Sequence, residues 1–254
     1  MKITFIGSSH GVPEPHRKCS CIMIEVGEQV YFIDMGTSAI DALRTRGISI
    51  DAVKGIFITH MHGDHTNGLI QFVDLITWFF RTPDPVICLP NMAAARVIDD
   101  WLKVTLNGGE KKINYRETKP GVVFDDGVLK VTAFATMHCE KSYAYLVEAE
   151  GKAVLFTGDL KNPGIDFPAV TAGMTTAADV VTVDVGMPLD LLVCESAHFS
   201  AMNYLPILEK SNIQKVCVTH YSNRHFASVL QLQQELTDRG MPMVIATDDL
   251  ELNV

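Results

Sequence analysis

The sequence predicts an α/β protein, a sandwich built on mixed sheets, and three observations predict it. Strands alternate with helices through the last third, turn-linked strands follow one another in the middle, and 47% of the 254 residues are hydrophobic, enough for a large core. No repeat, low-complexity tract or linker divides the chain, so residues 1–254 read as a single domain.

Taken in order, residues 1–7 read as a strand running into a Gly/Ser turn, followed by a Gly- and Pro-containing loop through Arg17 that is long enough to reach a site. Strands at 20–26 and 29–34 are joined by the turn Gly27-Glu28, and a helix over 37–46 stops at Gly47. The apolar run Gly55-Ile56-Phe57-Ile58 is a buried strand, and a helix starts near Thr66. Residues 69–80 are apolar at helical spacing until Pro83 and Pro85 close the segment. A strand at 86–89, a helix at 92–106 stopped by Gly108-Gly109, and strands at 112–118, 128–136, 142–148 and 153–157 come next, with hairpin turns at Asp126-Gly127 and Glu150-Gly151. Residues 162–188 mix Pro, Gly, Thr and Ala around one strand-like run at 180–185, and read as a lid or an interface hairpin. Strands at 191–194, 216–219 and 243–246 then alternate with helices at 202–210 and 226–239.

A net charge of −9 with no long Lys/Arg run argues against long nucleic acid as a partner. The six cysteines are scattered mostly singly in apolar runs, the habit of reduced thiols, and a cytoplasmic location follows. The N-terminus lacks the apolar core and cleavage site of a signal peptide, and no segment is long and apolar enough for a membrane helix.

The chemistry concentrates at His60-Met61-His62-Gly63-Asp64-His65, directly after the buried strand. Three imidazoles and a carboxylate in six residues give a transition metal four candidate ligands from one loop, at small cost in ordering entropy. Asp34, His138, Asp159 and His220 each follow an apolar or β-branched run, so each is expected at a strand end on the same edge of the sheets. His10, His16 and His225 receive no role.

These motifs, in this order, resemble the metallo-β-lactamase superfamily and, within it, the phosphodiesterase branch that includes RNase Z. The residues that carry the resemblance are Phe32-Ile33-Asp34-Met35-Gly36, the histidine loop, His138 with Tyr143-Ala144-Tyr145, Thr157-Gly158-Asp159, Glu195, and Thr219-His220-Tyr221-Ser222. The resemblance implies an αβ/βα four-layer sandwich with a two-metal site along one edge. His60, His62 and His138 would hold one ion, Asp64, His65 and His220 the other, with Asp159 bridging and Asp34 bracing the histidine loop. Zinc suits this donor set, with manganese and iron as alternatives. A hydroxide bridging the two ions would be the nucleophile, with Asp64 as its general base. RNase Z places a His-Glu pair where this chain has Cys194-Glu195, so His198, oriented by Glu195, takes the place of the missing proton donor.

The implied activity is hydrolysis of a small or cyclic phosphodiester or a short nucleotide. Too few residues separate His138 from Asp159 for the projecting arm with which many RNase Z proteins bind tRNA, which disfavours a tRNA 3′-processing endonuclease. A lactone, thioester or lactam hydrolase would use the same ligands. A redox or sensing role is disfavoured because the diiron flavoproteins of this fold carry Glu where His62 stands, and the intact ligand set speaks against a non-catalytic metal-binding protein. No membrane partner is expected, and a homodimer is compatible with this reading.

Overall fold

Two seven-stranded sheets face each other across a shared core, and helices cover their outer surfaces. The computed structural model describes residues 1–105, 111–168 and 188–254. The first sheet contains β1 (Lys2–Gly7), β2 (Cys21–Val26), β3 (Gln29–Ile33), β4 (Val53–Phe57), β5 (Val86–Leu89), β6 (Tyr115–Glu117) and β14 (Leu250–Asn253), in the order β14-β1-β2-β3-β4-β5-β6. The second contains β7 (Gly121–Asp125), β8 (Lys130–Ala135), β9 (Tyr143–Ala149), β10 (Lys152–Phe156), β11 (Leu191–Ser196), β12 (Val216–Tyr221) and β13 (Met243–Ile245), in the order β13-β12-β11-β10-β9-β8-β7. Each sheet is half antiparallel and half parallel. Pairing is antiparallel from β14 to β3 and from β7 to β10, and parallel from β3 to β6 and from β10 to β13.

Strand periodicity sorts the side chains into layers. In β3, Tyr31 and Ile33 point into the core between the sheets, whereas Val30 and Phe32 face the helices; Ile22 and Ile24 are separated from Cys21 and Met23 in β2 in the same way. Helices α1 (Ala39–Thr45), α2 (Gly63–Trp78) and α3 (Ala93–Val104) bury Leu43, Phe72 and Ile98 against the first sheet. The second sheet is covered by α4 (Pro163–Asp166), α5 (Leu205–Leu208) and α6 (Phe226–Asp238), the last through Val229, Leu232 and Leu236 at helical spacing. The result is the four-layer αβ/βα sandwich with mixed sheets that the sequence predicts. Among the described residues no helix is long and apolar enough to cross a membrane, and all six cysteines are free thiols.

Several elements differ from the sequence reading. Helix α2 begins at Gly63, ahead of the expected Thr66, because His62 is extended in the capping position, so Asp64 and His65 form the helix's first turn. The helix expected over 202–210 splits into a 3₁₀ turn at Ala201–Tyr204 and α5, where Pro206 supplies no amide for a continuous ladder. The strand expected at 112–118 shortens to β6, and β7 and β14 were not expected at all. Both are short edge strands: Val122-Val123-Phe124 in β7 and the Leu250/Leu252 alternation in β14 are brief strand-like runs that pairing with β8 and β1 makes into strands. The end of the helix over 92–106, its Gly108-Gly109 stop, and the strand at 180–185 with most of the lid or hairpin segment lie outside the described residues.

The sheets are also joined directly beneath the histidine loop. The Tyr145 hydroxyl on β9 donates to the Ile58 carbonyl at 2.7 Å, and the Tyr143 amide donates to the Thr59 carbonyl at 2.9 Å. Tyr145 is fully buried, so Tyr145→Phe strips a buried carbonyl of its partner. A loss of about 1–3 kcal/mol is expected, read as a lower denaturant midpoint at unchanged slope.

Candidate metal centre

Asp34 organises the histidine loop from below. It leaves β3 at a φ of 58°, and its Oδ1 accepts the Thr59 amide at 2.7 Å while Oδ2 accepts His65 Nδ1–H at 2.6 Å. The Thr59 hydroxyl also donates to Asp34, which leaves it free to accept from His60 Nδ1–H at 3.1 Å. Both rings are therefore locked in the tautomer whose Nε2 is bare and points into the site. The loop after β3 lies against the first turn of α2: the Met35 amide donates to the His65 carbonyl, and a Cβ at Gly36 would stand 1.7 Å from the Asp64 carbonyl oxygen. Only glycine permits that approach.

The second sheet delivers the remaining groups from successive strand exits. Asp159 follows β10 through Gly158, whose φ is +56° and whose added Cβ would meet Thr59 and the Tyr143 carbonyl at 2.9 Å. His138 stands beyond β8 and His220 near the end of β12. The Asp159 carboxylate lies between two groups of imidazoles. Its Oδ1 is 3.5 Å from His65 Nε2 and 3.4 Å from His220 Nε2, and its Oδ2 is 3.7 Å from His60 Nε2 and 3.6 Å from His138 Nε2. Asp64 Oδ2 closes one group at 3.3 Å from His65 Nε2 and 3.7 Å from His220 Nε2. His62 Nδ1 closes the other at 2.9 Å from His60 Nε2 and 3.2 Å from His138 Nε2.

This arrangement fits metal ions. Ligands at 2.0–2.1 Å from a tetrahedral ion lie about 3.3 Å from one another, close to the spacings across Asp159. His65 Nε2, His220 Nε2 and Asp159 Oδ1 are buried without a hydrogen-bond partner, a costly condition unless something else satisfies them. The donor atoms of His60, His62 and His138, and those of Asp64, His65 and His220, each fall within 4.8 Å of one another, as do those of His60, His65 and Asp159. Charge points the same way. Burial alone would lower the His65 pKa, but the charges of Asp34 and Asp159 outweigh it and raise His65 well above its ordinary value. A field that draws a proton there also favours a metal cation. Burial, with the neighbouring imidazoles, instead pushes His60 down to about 2, leaving it the neutral ring that metals bind.

Glu195 and His198 form the pair expected at the exit of β11. Glu195 is buried, with Oε1 accepting the Leu160 amide at 3.1 Å and His198 Nδ1–H at 3.0 Å, and Oε2 accepting the Ala197 amide at 2.7 Å. The Glu195 hydrogen bond raises the His198 pKa to about 9. His198 Nε2 lies 3.8 Å from Asp159 Oδ2, and its side chain is 38% exposed, so it stands at the rim with His62 while His60, His65 and Asp159 form the floor. His10, His16 and His225 stay outside the cluster: His10 pairs with Glu14, and His225 precedes α6.

Some supporting residues escaped the sequence reading. Asp166 on α4 accepts the Met137 amide at 2.8 Å and the Lys161 and Asn162 amides, which fixes the backbone beside His138. The run Asn162-Pro163-Gly164, with Asn162 capping α4, is the local signal that could have placed it. Ser8, Arg17 and Asp248 surround the backbone of His220 and carry no such signal.

The chain is similar to known proteins across most of its length. Ribonuclease Z of Listeria monocytogenes is 29% identical over 276 aligned positions, covering 89% of this chain and 90% of that protein. The short form of human tRNase Z superposes with a TM-score of 0.72 at 19% identity, covering 100% of this chain and 99% of the other. The metallo-β-lactamase fold protein YhfI from Bacillus subtilis superposes with a TM-score of 0.72 at 16% identity, covering 99% and 98%. The family model described as Anti-Pycsar protein Apyc1 matches residues 1–237. With that match across most of its length, the chain belongs to the anti-Pycsar protein Apyc1 family, in the RNase Z-like branch of the metallo-β-lactamase superfamily.

Proposed function

We propose that this chain is a metal-dependent phosphodiesterase acting on a small or cyclic phosphodiester or a short nucleotide. The observation that carries the reading is Asp159, whose two oxygens face two different sets of buried donors. His60, His62 and His138 would hold one divalent cation and Asp64, His65 and His220 the other, with the Asp159 carboxylate between the two sets. Zinc is the ion the donor set favours. When bound, two such cations acidify an attacking water and neutralise charge on the reacting phosphoryl oxygens.

The chain's own residues orient the reaction. Asp34 and Thr59 keep the His60 and His65 rings in place, and Asp64 is the carboxylate that takes the water's proton. Glu195 holds His198 with its Nε2 toward the site, where the imidazolium donates a proton to the departing oxygen. Similarity to proteins named ribonuclease Z supports a phosphodiester bond over a carboxyl substrate. A small substrate is supported by the interval between His138 and Asp159, where β9 and β10 form a hairpin turned at Glu150-Gly151 in place of a projecting arm. The net charge of −9 supports it too.

Protein purified without chelator is expected to carry about two metal equivalents, to hydrolyse bis-p-nitrophenyl phosphate, and to lose that activity on chelation. His62→Ala should lose metal affinity by more than the roughly 10- to 100-fold that removing a ligand's supporting partner costs, with activity falling in step. A reproducible single equivalent counts against two ions, and turnover of lactones without phosphodiesters counts against the substrate class.

Leaving-group chemistry tests His198. An alkoxide needs protonation to depart, whereas p-nitrophenolate leaves unaided. His198→Ala should therefore keep both metals, lose about 10²- to 10⁴-fold on a nucleoside phosphodiester, and lose little on a p-nitrophenyl ester. Equal slowing on both substrates removes His198 from the acid role, and loss of metal makes it a ligand or a structural group.

A further inference from the structure

His220 differs from the other buried imidazoles of the centre. His60 and His65 are oriented through their rings, by Thr59 and Asp34, whereas neither ring nitrogen of His220 has a hydrogen-bond partner. Its ring direction is consequently set by its backbone. That backbone is unusual: His220 has a φ of 46°, left-handed for a residue with a side chain, next to the register shift between β11 and β12. Something outside the strand must hold it.

The restraint comes from the other sheet. The His220 amide donates to the Ser8 carbonyl at 2.9 Å, just beyond the end of β1. Ser8 is held in turn by Asp248, in the crossover from β13 to β14, whose Oδ1 accepts the Ser8 amide and the Ser8 hydroxyl, both at 2.9 Å. Asp248 Oδ2 accepts the Lys18 amide at 2.7 Å, which closes the loop that starts at Ser8. Arg17 completes the assembly. Its Nη2 donates to the Ser8 carbonyl at 2.6 Å, its Nη1 to the Tyr221 carbonyl at 3.5 Å, and its guanidinium stacks 3.9 Å from the Tyr221 ring centroid.

We infer that Asp248 and Arg17 are positioning residues for His220, acting through Ser8 to hold its left-handed backbone so that Nε2 faces Asp64 and Asp159. Neither residue enters the site itself. The inference rests on reading His220 as a metal ligand, and it makes the ion beside Asp64, His65 and His220 depend on a clamp between the two sheets, while the ion beside His60, His62 and His138 does not.

The test is a zinc titration of the full chain against a competing chromophoric chelator, with amide hydrogen exchange of the metal-free protein alongside. Asp248→Ala should bind one equivalent as the wild type does and the other about 10- to 100-fold more weakly, the loss typical when a ligand's support is removed. Exchange at the His220 amide should accelerate by about tenfold or more, while amides within β10 and β11 keep their protection. Asp248→Asn retains one oxygen toward Ser8 and should fall between wild type and Asp248→Ala in both readouts. If Asp248→Ala does not fold, Arg17→Lys carries the test, since an ammonium lacks the planar fork that reaches the Ser8 and Tyr221 carbonyls through separate nitrogens while stacking on the Tyr221 ring, and should weaken the same equivalent. Equal weakening of both ions, or wild-type binding with unchanged exchange at His220, overturns the inference. A wild-type chain that binds no zinc while Asp248→Ala still loosens His220 overturns the metal reading and leaves the clamp standing.

Discussion

A buried carboxylate shared between a backbone amide and an imidazole underlies the arrangement of this protein's site. Asp34 is 2% exposed, and its charge would be costly there without partners. Thr59 and His65 supply them, and in doing so they lock the histidine loop to the end of β3. The backbone turns through a left-handed conformation at Asp34 to aim the carboxylate inward, strain that the surrounding hydrogen bonds offset. The rings thus have their tautomers chosen before any cation arrives, and preorganisation of that kind limits the cost of binding.

Each sheet contributes half of the centre, and neither half is sufficient. The first sheet supplies the histidine loop and Asp34. The second supplies His138, Asp159, Glu195 with His198, and His220 from successive strand exits. Contacts that cross between the sheets set the spacing of the two halves: Tyr143 and Tyr145 on the loop carbonyls, Gly158 against Thr59, and Ser8 on the His220 amide. Stability and function are coupled at these points, because a shift of one sheet against the other would separate Asp159 from the donors on either side.

Burial also gives the centre a direction. His60, His65, Asp159 and His220 form a buried floor, whereas His62 and His198 are exposed. The Glu195–His198 pair stands at the rim with His198 Nε2 toward Asp159. Asp34 and Asp159 raise His65 against its burial, whereas burial and the neighbouring imidazoles keep His60 neutral, so two rings of one short loop meet opposite electrostatic surroundings.

The order and spacing of chemically distinctive residues were legible in the sequence by itself. The histidine loop after an apolar strand, and the later Asp and His at strand ends, announced a metal centre, and strand alternation with helical periodicity announced a mixed-sheet sandwich. Local patterning carries that information because a strand exit and an amphipathic helix are properties of a few neighbouring residues. The tertiary structure decided what depends on partners far along the chain. Asp166 gains its role from the Met137 amide, 29 positions away, and Asp248 acts through Ser8, 240 positions away. Hydrogen bonds of that range leave no periodicity in either segment, so only folding brings donor and acceptor together.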